Sequence, residues 1–444
     1  MEVPETRYAR SGDLSIAYSV SGSGPLDLLW VSNWTTHVEQ VWSWPSFAHF
    51  IHRVGRLGRA ILFDVPGVGL SDPVSLDELP SIEQWMDYVR VVMDAAGSER
   101  AVLLGNAAGT GLAASFAATH PDRVSGLVLF SPFARILSAP DYPIGLPAER
   151  RERAIDWWIE RWGSGRQLEL TGPSLADDPF ETEPMARFER YAVSPGVARV
   201  FFGMISDLDV RGILPAVRVP TLVLRRSGDR WISHELARYV ADHVPDGRYV
   251  ELAGDQHYPF HGDTDSVMAE IRAFLESLPD QREAERMLAT ILVTDLVGST
   301  GRAAEVGDAR WRGLLDRHDA IVREHLERFR GREIRTTGDG FMASFDGAAR
   351  AIRCAAAIRD ALRGLSLDVR SGLHSGEIEL RGGGIDGIAV HIAARVAAAA
   401  RPSEVLVSQT VKDLAIGARL EFESRDRHEF KGVPGAWDTY AAAL

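Results

Sequence analysis

Cysteine, lysine and long apolar runs are all scarce in this sequence. Cys354 is the single cysteine in 444 residues, so neither an internal disulfide nor a cysteine metal cage can form. Its setting, AIRCAAAI, reads as a small apolar residue on a buried helix face. Nowhere do about 18 uncharged apolar residues follow one another. Residues 1–12 carry Glu2, Glu5, Arg7 and Arg10 where a signal segment would need an apolar core. The expectation is a soluble, cytoplasmic protein with no membrane span. Lysine survives only as Lys412 and Lys431 among 49 basic side chains, so each is a candidate for a task that arginine does not perform.

What is present is ordinary globular material, 45% hydrophobic and 25% charged, in a length that suggests two or three domains. The net charge of −13 is unevenly spread: residues 288–444 carry 22 basic and 22 acidic side chains, so the acidity lies upstream. That asymmetry points to two units. It also argues against nucleic acid or an anionic membrane as partner of the first.

In the first part, short β-branched runs recur at 15–20, 27–31, 60–65, 101–104, 126–130, 221–224 and 248–252, with helical patterns such as 82–96 and 111–120 between several of them. This alternation predicts an α/β fold with a mostly parallel sheet. Residues 133–207, rich in Trp, Arg and Pro, break the rhythm and read as an inserted helical lid. A last helix over 265–277 runs into Leu278-Pro279, and a new strand is expected at 288–294. The domain boundaries fall at 1–280, a linker over 281–287, and 288–444.

In the second part, ATILVTDLVGST (289–300) reads as a buried strand that delivers Asp295 at its end. The Gly-Ser-Thr turn that follows can present backbone N–H groups to phosphate. EIRTTGDGFMASF (333–345) reads as a hairpin with Asp339 at its tip. Two carboxylates on adjacent strand ends suit a two-metal site, one ion activating a ribose 3′-hydroxyl and the other neutralising a departing pyrophosphate. These segments, with GLHSGE (372–377) and GIAVHIAAR (387–395) in the same order, resemble the class III adenylate and guanylate cyclases over residues 288–444.

The resemblance implies a ferredoxin-like α+β domain that makes a cyclic nucleotide with two Mg²⁺ or Mn²⁺ ions per site, ATP being the favoured substrate by family frequency. It implies metal binding by Asp295, Asp339 and the Leu296 backbone, and phosphate contacts from Gly298, Ser299, Thr300 and Lys431. Arg395 matches the arginine that stabilises charge on the α-phosphate. Because such sites form between two cyclase domains, it further implies a homodimer. Three departures stand out. His391 occupies the place of an asparagine four residues before the arginine, Arg335 replaces a purine-reading lysine, and Gly384 replaces its partner, leaving Asp386 as a nearby substitute.

Residues 1–280 resemble the α/β-hydrolases. ILFDVPGVGLSD (61–72) matches the strand and turn of that family, SGDRWIS (227–233) its acid loop and AGDQHYPF (253–260) its histidine loop, making Asp229 and His257 the candidate acid and base. The nucleophile elbow, however, reads GNAAG, with Ala107 at the attacking position, and neither Thr110 nor Ser115 falls on the elbow tip. Together the two halves resemble the hydrolase–cyclase fusions of actinobacteria. The reading is a cyclase with a pseudo-hydrolase module that senses an apolar small molecule. The competing readings are an esterase with a degenerate cyclase, and a non-catalytic ligand-binding protein.

Overall fold

The computed structural model describes residues 3–31, 35–75, 80–278, 286–299, 301–302, 307–336, 339–381, 384–433 and 435–443. The chain folds as two compact units, one through the helix that ends at Ser277 and one from the strand that begins at Arg286.

The first unit is a single sheet of eight strands: β1 (Arg7–Ser11), β2 (Leu14–Ser21), β3 (Asp27–Val31), β4 (Arg59–Phe63), β5 (Ala101–Asn106), β6 (Val124–Phe130), β7 (Thr221–Arg226) and β8 (Gly247–Leu252). Their spatial order is β1-β2-β4-β3-β5-β6-β7-β8. From β4 to β8 all neighbours are parallel, whereas β1 and β2 join antiparallel. Every residue of β3 and β5 is buried, as expected of parallel strands covered on both faces. β1 was not legible in the sequence, because only Ala9 of its five residues is buried. A polar edge strand carries no apolar run to find.

Between β6 and β7 the chain forms the helices Arg151–Glu160, Leu168–Thr171, Pro179–Ala192 and Pro195–Asp207. The third starts at Asp178, whose carboxylate accepts the Phe180 N–H, with Pro179 at the first helical position. The fourth starts in the same way at Ser194-Pro195. A polar cap followed by proline fixes such starts without intrahelical partners.

The turn after β4 is held by Asp64, fully buried, whose Oδ2 accepts N–H bonds from Leu70 at 2.9 Å and Val38 at 3.2 Å. Burial pushes this carboxyl up to about 7 against the lowering effect of those bonds. Its folded-state pKa therefore exceeds the unfolded value, and folding binds a proton between the two. Stability is present at acid pH and is lost as pH rises towards 7. Asp64→Asn, which keeps the acceptor, should gain about 3 kcal/mol on the parent between pH 5 and pH 8, measured by urea unfolding at each pH.

The second unit is a mixed sheet: β9 (Arg286–Leu296), β10 (Arg332–Thr336), β11 (Gly340–Phe345), β12 (Val369–Arg381), β13 (Gly384–Asp386), β14 (Val405–Ser408), β15 (Glu421–Glu429) and β16 (Ala436–Ala443). The order is β10-β11-β9-β12-β14-β16-β15, with β13 paired to β12. Alternate residues divide between two cores. Leu292, Phe341, Ala343 and Phe345 pack with the helices Asp308–Arg328 and Ala348–Arg363, while Ile291 and Met342 pack with Ala389 and Ala393 of the helix Ile388–Ala399. Cys354 lies in the first of these cores, and burial pushes its thiol up to about 12. The helix Ile388–Ala399 carries the alanine-rich stretch that ends at Ala399. Gly387, at φ +135°, separates β13 from the helix, which starts directly after it.

Candidate active sites

In the second unit, β9 lies between β11 and β12, so the residue at its end has neighbours on both sides. Asp295 is in register with Gly340 of β11 and with Arg370 of β12. Asp339 directly precedes Gly340, and both carboxylates sit half-buried at one end of the sheet. Arg370 was not singled out from the sequence. Its Nε and Nη2 donate to Asp295 Oδ2 at 2.9 and 2.5 Å, and its Nη1 reaches the carbonyl of Ala398 at 3.4 Å. A cation thus already sits on the foremost candidate metal ligand. Only strand register reveals this pairing, since the two residues are 75 positions apart.

After Asp295, Leu296 is buried and closes β9. Gly298 takes φ +69°, a conformation that favours glycine. Ser299 is partly buried, and Thr300 lies outside the described residues. Among the described residues no group of three His, Cys, Asp or Glu could hold a metal. Asp295 and Asp339 alone would leave the remaining positions to phosphate oxygens and water, a donor set that Mg²⁺ accepts. The residues fit such an ion, provided Arg370 swings off Asp295.

His391 and Arg395 are exposed, one helical turn apart on Ile388–Ala399. The placing of this helix explains the glycines of GLHSGE. An added Cβ at Gly372 would lie 2.0 Å from the Ala397 nitrogen, and one at Gly376 would lie 2.9 Å from the Ala389 Cβ. The helix backbone rests directly on β12. His374 between them is buried, with Nδ1 2.8 Å from Ser408 Oγ, and burial lowers its imidazole to about 4. That motif is scaffold. Gly372→Ala should therefore destabilise by about 3 kcal/mol or more, exceeding Gly376→Ala, as read by thermal unfolding of the two variants.

Arg335 is exposed on β10 opposite Met342, Asp386 is exposed at the end of β13 opposite Glu379, and Lys431 is exposed after β15. Among the described residues, none of Arg335, Asp386, His391, Arg395 and Lys431 hydrogen-bonds to Asp295 or Asp339. The fold brings the two aspartates together and leaves the other candidates on the surface.

In the first unit, β5 turns sharply into the helix Gly109–Thr119, and Ala107 occupies the turn at φ +49°. A left-handed alanine costs about 1 kcal/mol. The backbone is held there by the Ala107 N–H donating to the Phe130 carbonyl at 3.1 Å. Thr110 Oγ1 donates to the Ala107 carbonyl and Ser115 Oγ to the Gly111 carbonyl, so both hydroxyls are engaged within the helix.

Asp229 Oδ2 accepts from Ser131 Oγ at 2.8 Å and lies 2.9 Å from His257 Nδ1. Its Oδ1 accepts the N–H groups of Trp231 and Ile232. Burial would raise this carboxyl, but the neighbouring His257 and the converging hydrogen bonds hold it below the usual carboxylate range. An oriented acid–histidine pair is present, and the elbow carries a methyl group. Ser131, itself at φ +48°, was not singled out from sequence.

The α/β-hydrolase fold family matches residues 58–264, and the adenylate and guanylate cyclase catalytic domain family matches residues 283–443. The cyclase part is 30% identical over 165 residues to a protein of Rhizobium meliloti (strain 1021) assigned as adenylate cyclase 3, covering 33% of this chain and 27% of that one. The chain thus spans about a quarter of that relative. The first part is 28% identical to a pimeloyl-[acyl-carrier protein] methyl ester esterase of Stenotrophomonas maltophilia, covering 58% of this chain and 96% of the esterase. A solved hydrolase from Oleispira antarctica superimposes with a TM-score of 0.51 at 18% identity, over 59% of this chain and 94% of its own, which speaks for the fold alone. The chain is a fusion of an N-terminal α/β-hydrolase domain with a C-terminal adenylate/guanylate cyclase catalytic domain.

Proposed function

We propose that the protein is a homodimeric nucleotidyl cyclase converting ATP to 3′,5′-cyclic AMP and pyrophosphate, with a hydrolase-fold domain that binds a small molecule and performs no triad hydrolysis. The observation that carries the reading is the pairing of Asp295 and Asp339 at the ends of neighbouring strands, with Arg395 exposed on a helix seated on β12.

Asp295 and Asp339 would hold two divalent ions, Mg²⁺ or Mn²⁺, which when bound make the ribose 3′-oxygen a better nucleophile and neutralise the triphosphate. The turn at Gly298 and Ser299 offers backbone N–H groups to phosphate, and Lys431 contributes a point charge to the terminal phosphates. As the 3′-oxygen attacks the α-phosphorus in line, negative charge grows on the phosphate oxygens. The guanidinium fork of Arg395 meets it from the second subunit, with His391 one turn before it as a hydrogen-bond donor. Arg335 and Asp386 face the purine.

A dimer is supported by the exposed stripe Ile388, His391 and Arg395, which places an apolar side chain, 51% exposed, on the same helix face as the candidate catalytic groups. Absence of triad hydrolysis is supported by Ala107. The deciding assay incubates the protein with ATP or GTP and Mn²⁺ or Mg²⁺ beside a p-nitrophenyl ester. Cyclic nucleotide with no ester turnover is the expected result. Ester turnover that depends on His257, without cyclic nucleotide, would overturn it in favour of an esterase.

A further inference from the structure

A hollow of the first unit lies at the end of the sheet away from the elbow. Ser21, the last residue of β2, pairs with Ala60 at the start of β4, whereas the elbow follows the far end of β5, which runs parallel to β3 and, through it, to β4. Here the strand end and the helix Pro45–Gly55 meet backbone to backbone: a Cβ added at Gly22 would lie 2.1 Å from the Gly55 carbonyl oxygen. That contact gathers the residues on either side of the two glycines. Ser21 and Ser23 from the strand end, His52 and Arg56 from the helix end, and Pro4 and Trp42 line one open cavity of about 590 Å³.

The lining is rich in donors and holds no carboxylate. Ser21 Oγ and Trp42 Nε1 are buried with no hydrogen-bond partner among the described residues, each at a cost of about 1–3 kcal/mol. His52 and Arg56 are exposed and stand four residues apart, on one face of the helix end. Neither side chain forms an ion pair among the described residues. The acids of the neighbouring segments are already engaged, Glu5 by Arg7 at 3.0 Å and Glu39 by Thr6 at 2.8 Å. Basic groups at a helix C-terminus are ordinary company for its free carbonyls. That does not account for an indole N–H and a hydroxyl left buried and unpaired beside them.

We propose that this hollow binds a small organic anion with a flat apolar body. The Arg56 guanidinium supplies the opposing charge, Ser21, Trp42 and His52 supply hydrogen-bond donors, and the apolar body lies against Trp42 and Pro4. Carboxylate and phosphate share this chemistry. The volume suits such a molecule, since small-molecule sites span about 300–1,000 Å³. The site lies wholly in the first unit, at the other end of the sheet from the elbow, and it stands whether or not the cyclase reading does.

The test is direct binding by calorimetry to the full chain, comparing benzoate, phenyl phosphate and benzyl alcohol. One or both of the anions should bind about tenfold tighter than the neutral alcohol, the difference expected for hydrogen bonds to a charged group. Which anion is preferred then names the head group as carboxylate or phosphate. Arg56→Gln should lose about tenfold for the preferred anion, and Trp42→Phe, which keeps a ring and loses the N–H, about fivefold. Benzyl alcohol bound as tightly as the anions would reduce the hollow to an apolar groove. An anion whose affinity is unchanged in Arg56→Gln would be bound elsewhere on the chain, and no binding of any probe would leave His52 and Arg56 as partners of the helix end alone. Each of these three results overturns the proposal, and the exposed Arg56→Gln change decides it even if Trp42→Phe fails to fold.

Discussion

Asp295→Ala will abolish cyclic-nucleotide formation, a loss of about a thousandfold or more, because several kilocalories per mole of transition-state charge stabilisation go with the metal ligand. The same change strips Arg370 of its partner, so Asp295→Asn, which preserves shape, should be assayed beside it and both checked by unfolding. The more demanding version mixes two inactive chains. Asp295→Ala retains Arg395, and Arg395→Ala retains both aspartates. In a shared-site dimer each mixed pair assembles one complete site of two. Random exchange makes half of the dimers mixed, and the mixture should recover about a quarter of parental activity. Failure to recover any, with both chains folded and dimeric, would place the whole site within one subunit.

Ala107→Ser should create a hydrolase. The elbow already holds its strained geometry at φ +49°, and His257 is already oriented by an Asp229 that accepts four hydrogen bonds. Removing the serine of a triad costs about a millionfold, and only one oxygen atom is missing here. The expected result is p-nitrophenyl butyrate turnover above background and stoichiometric labelling by a fluorophosphonate, both lost in the Ala107→Ser/His257→Ala double variant. A serine that is buried and unlabelled would show that the site has decayed beyond its nucleophile.

Much of this was legible because chemistry and fold coincide in sequence. The parallel strands read as apolar runs, since burial on both faces leaves no other composition available. Asp295, Asp339 and Ala107 fall at strand ends and turns whose neighbours are themselves diagnostic. What was missed is contact across long separations. Arg370 meets Asp295 through register, and Ser131 meets Asp229 across 98 positions. The polar edge strand β1 escaped for another reason, since periodicity reports burial and β1 has little. His374 shows the converse: it sits in a diagnostic motif, yet its buried, neutral imidazole is part of the scaffold that seats the arginine-bearing helix.

The Arg370–Asp295 pair bears on how the resting protein keeps house between turnovers. A lone carboxylate at a strand end would repel its neighbour Asp339 and leave that end of the sheet dependent on a bound ion. With Arg370 as resident counter-ion one of the two carboxylates is already balanced, and the fold is expected to stand without magnesium. If Asp295 holds a divalent ion as proposed, Arg370 would have to leave its carboxylate for that ion to bind. Chelation should then erase the rate while leaving the melting temperature unmoved, separating this domain from metalloproteins whose ion is part of the fold.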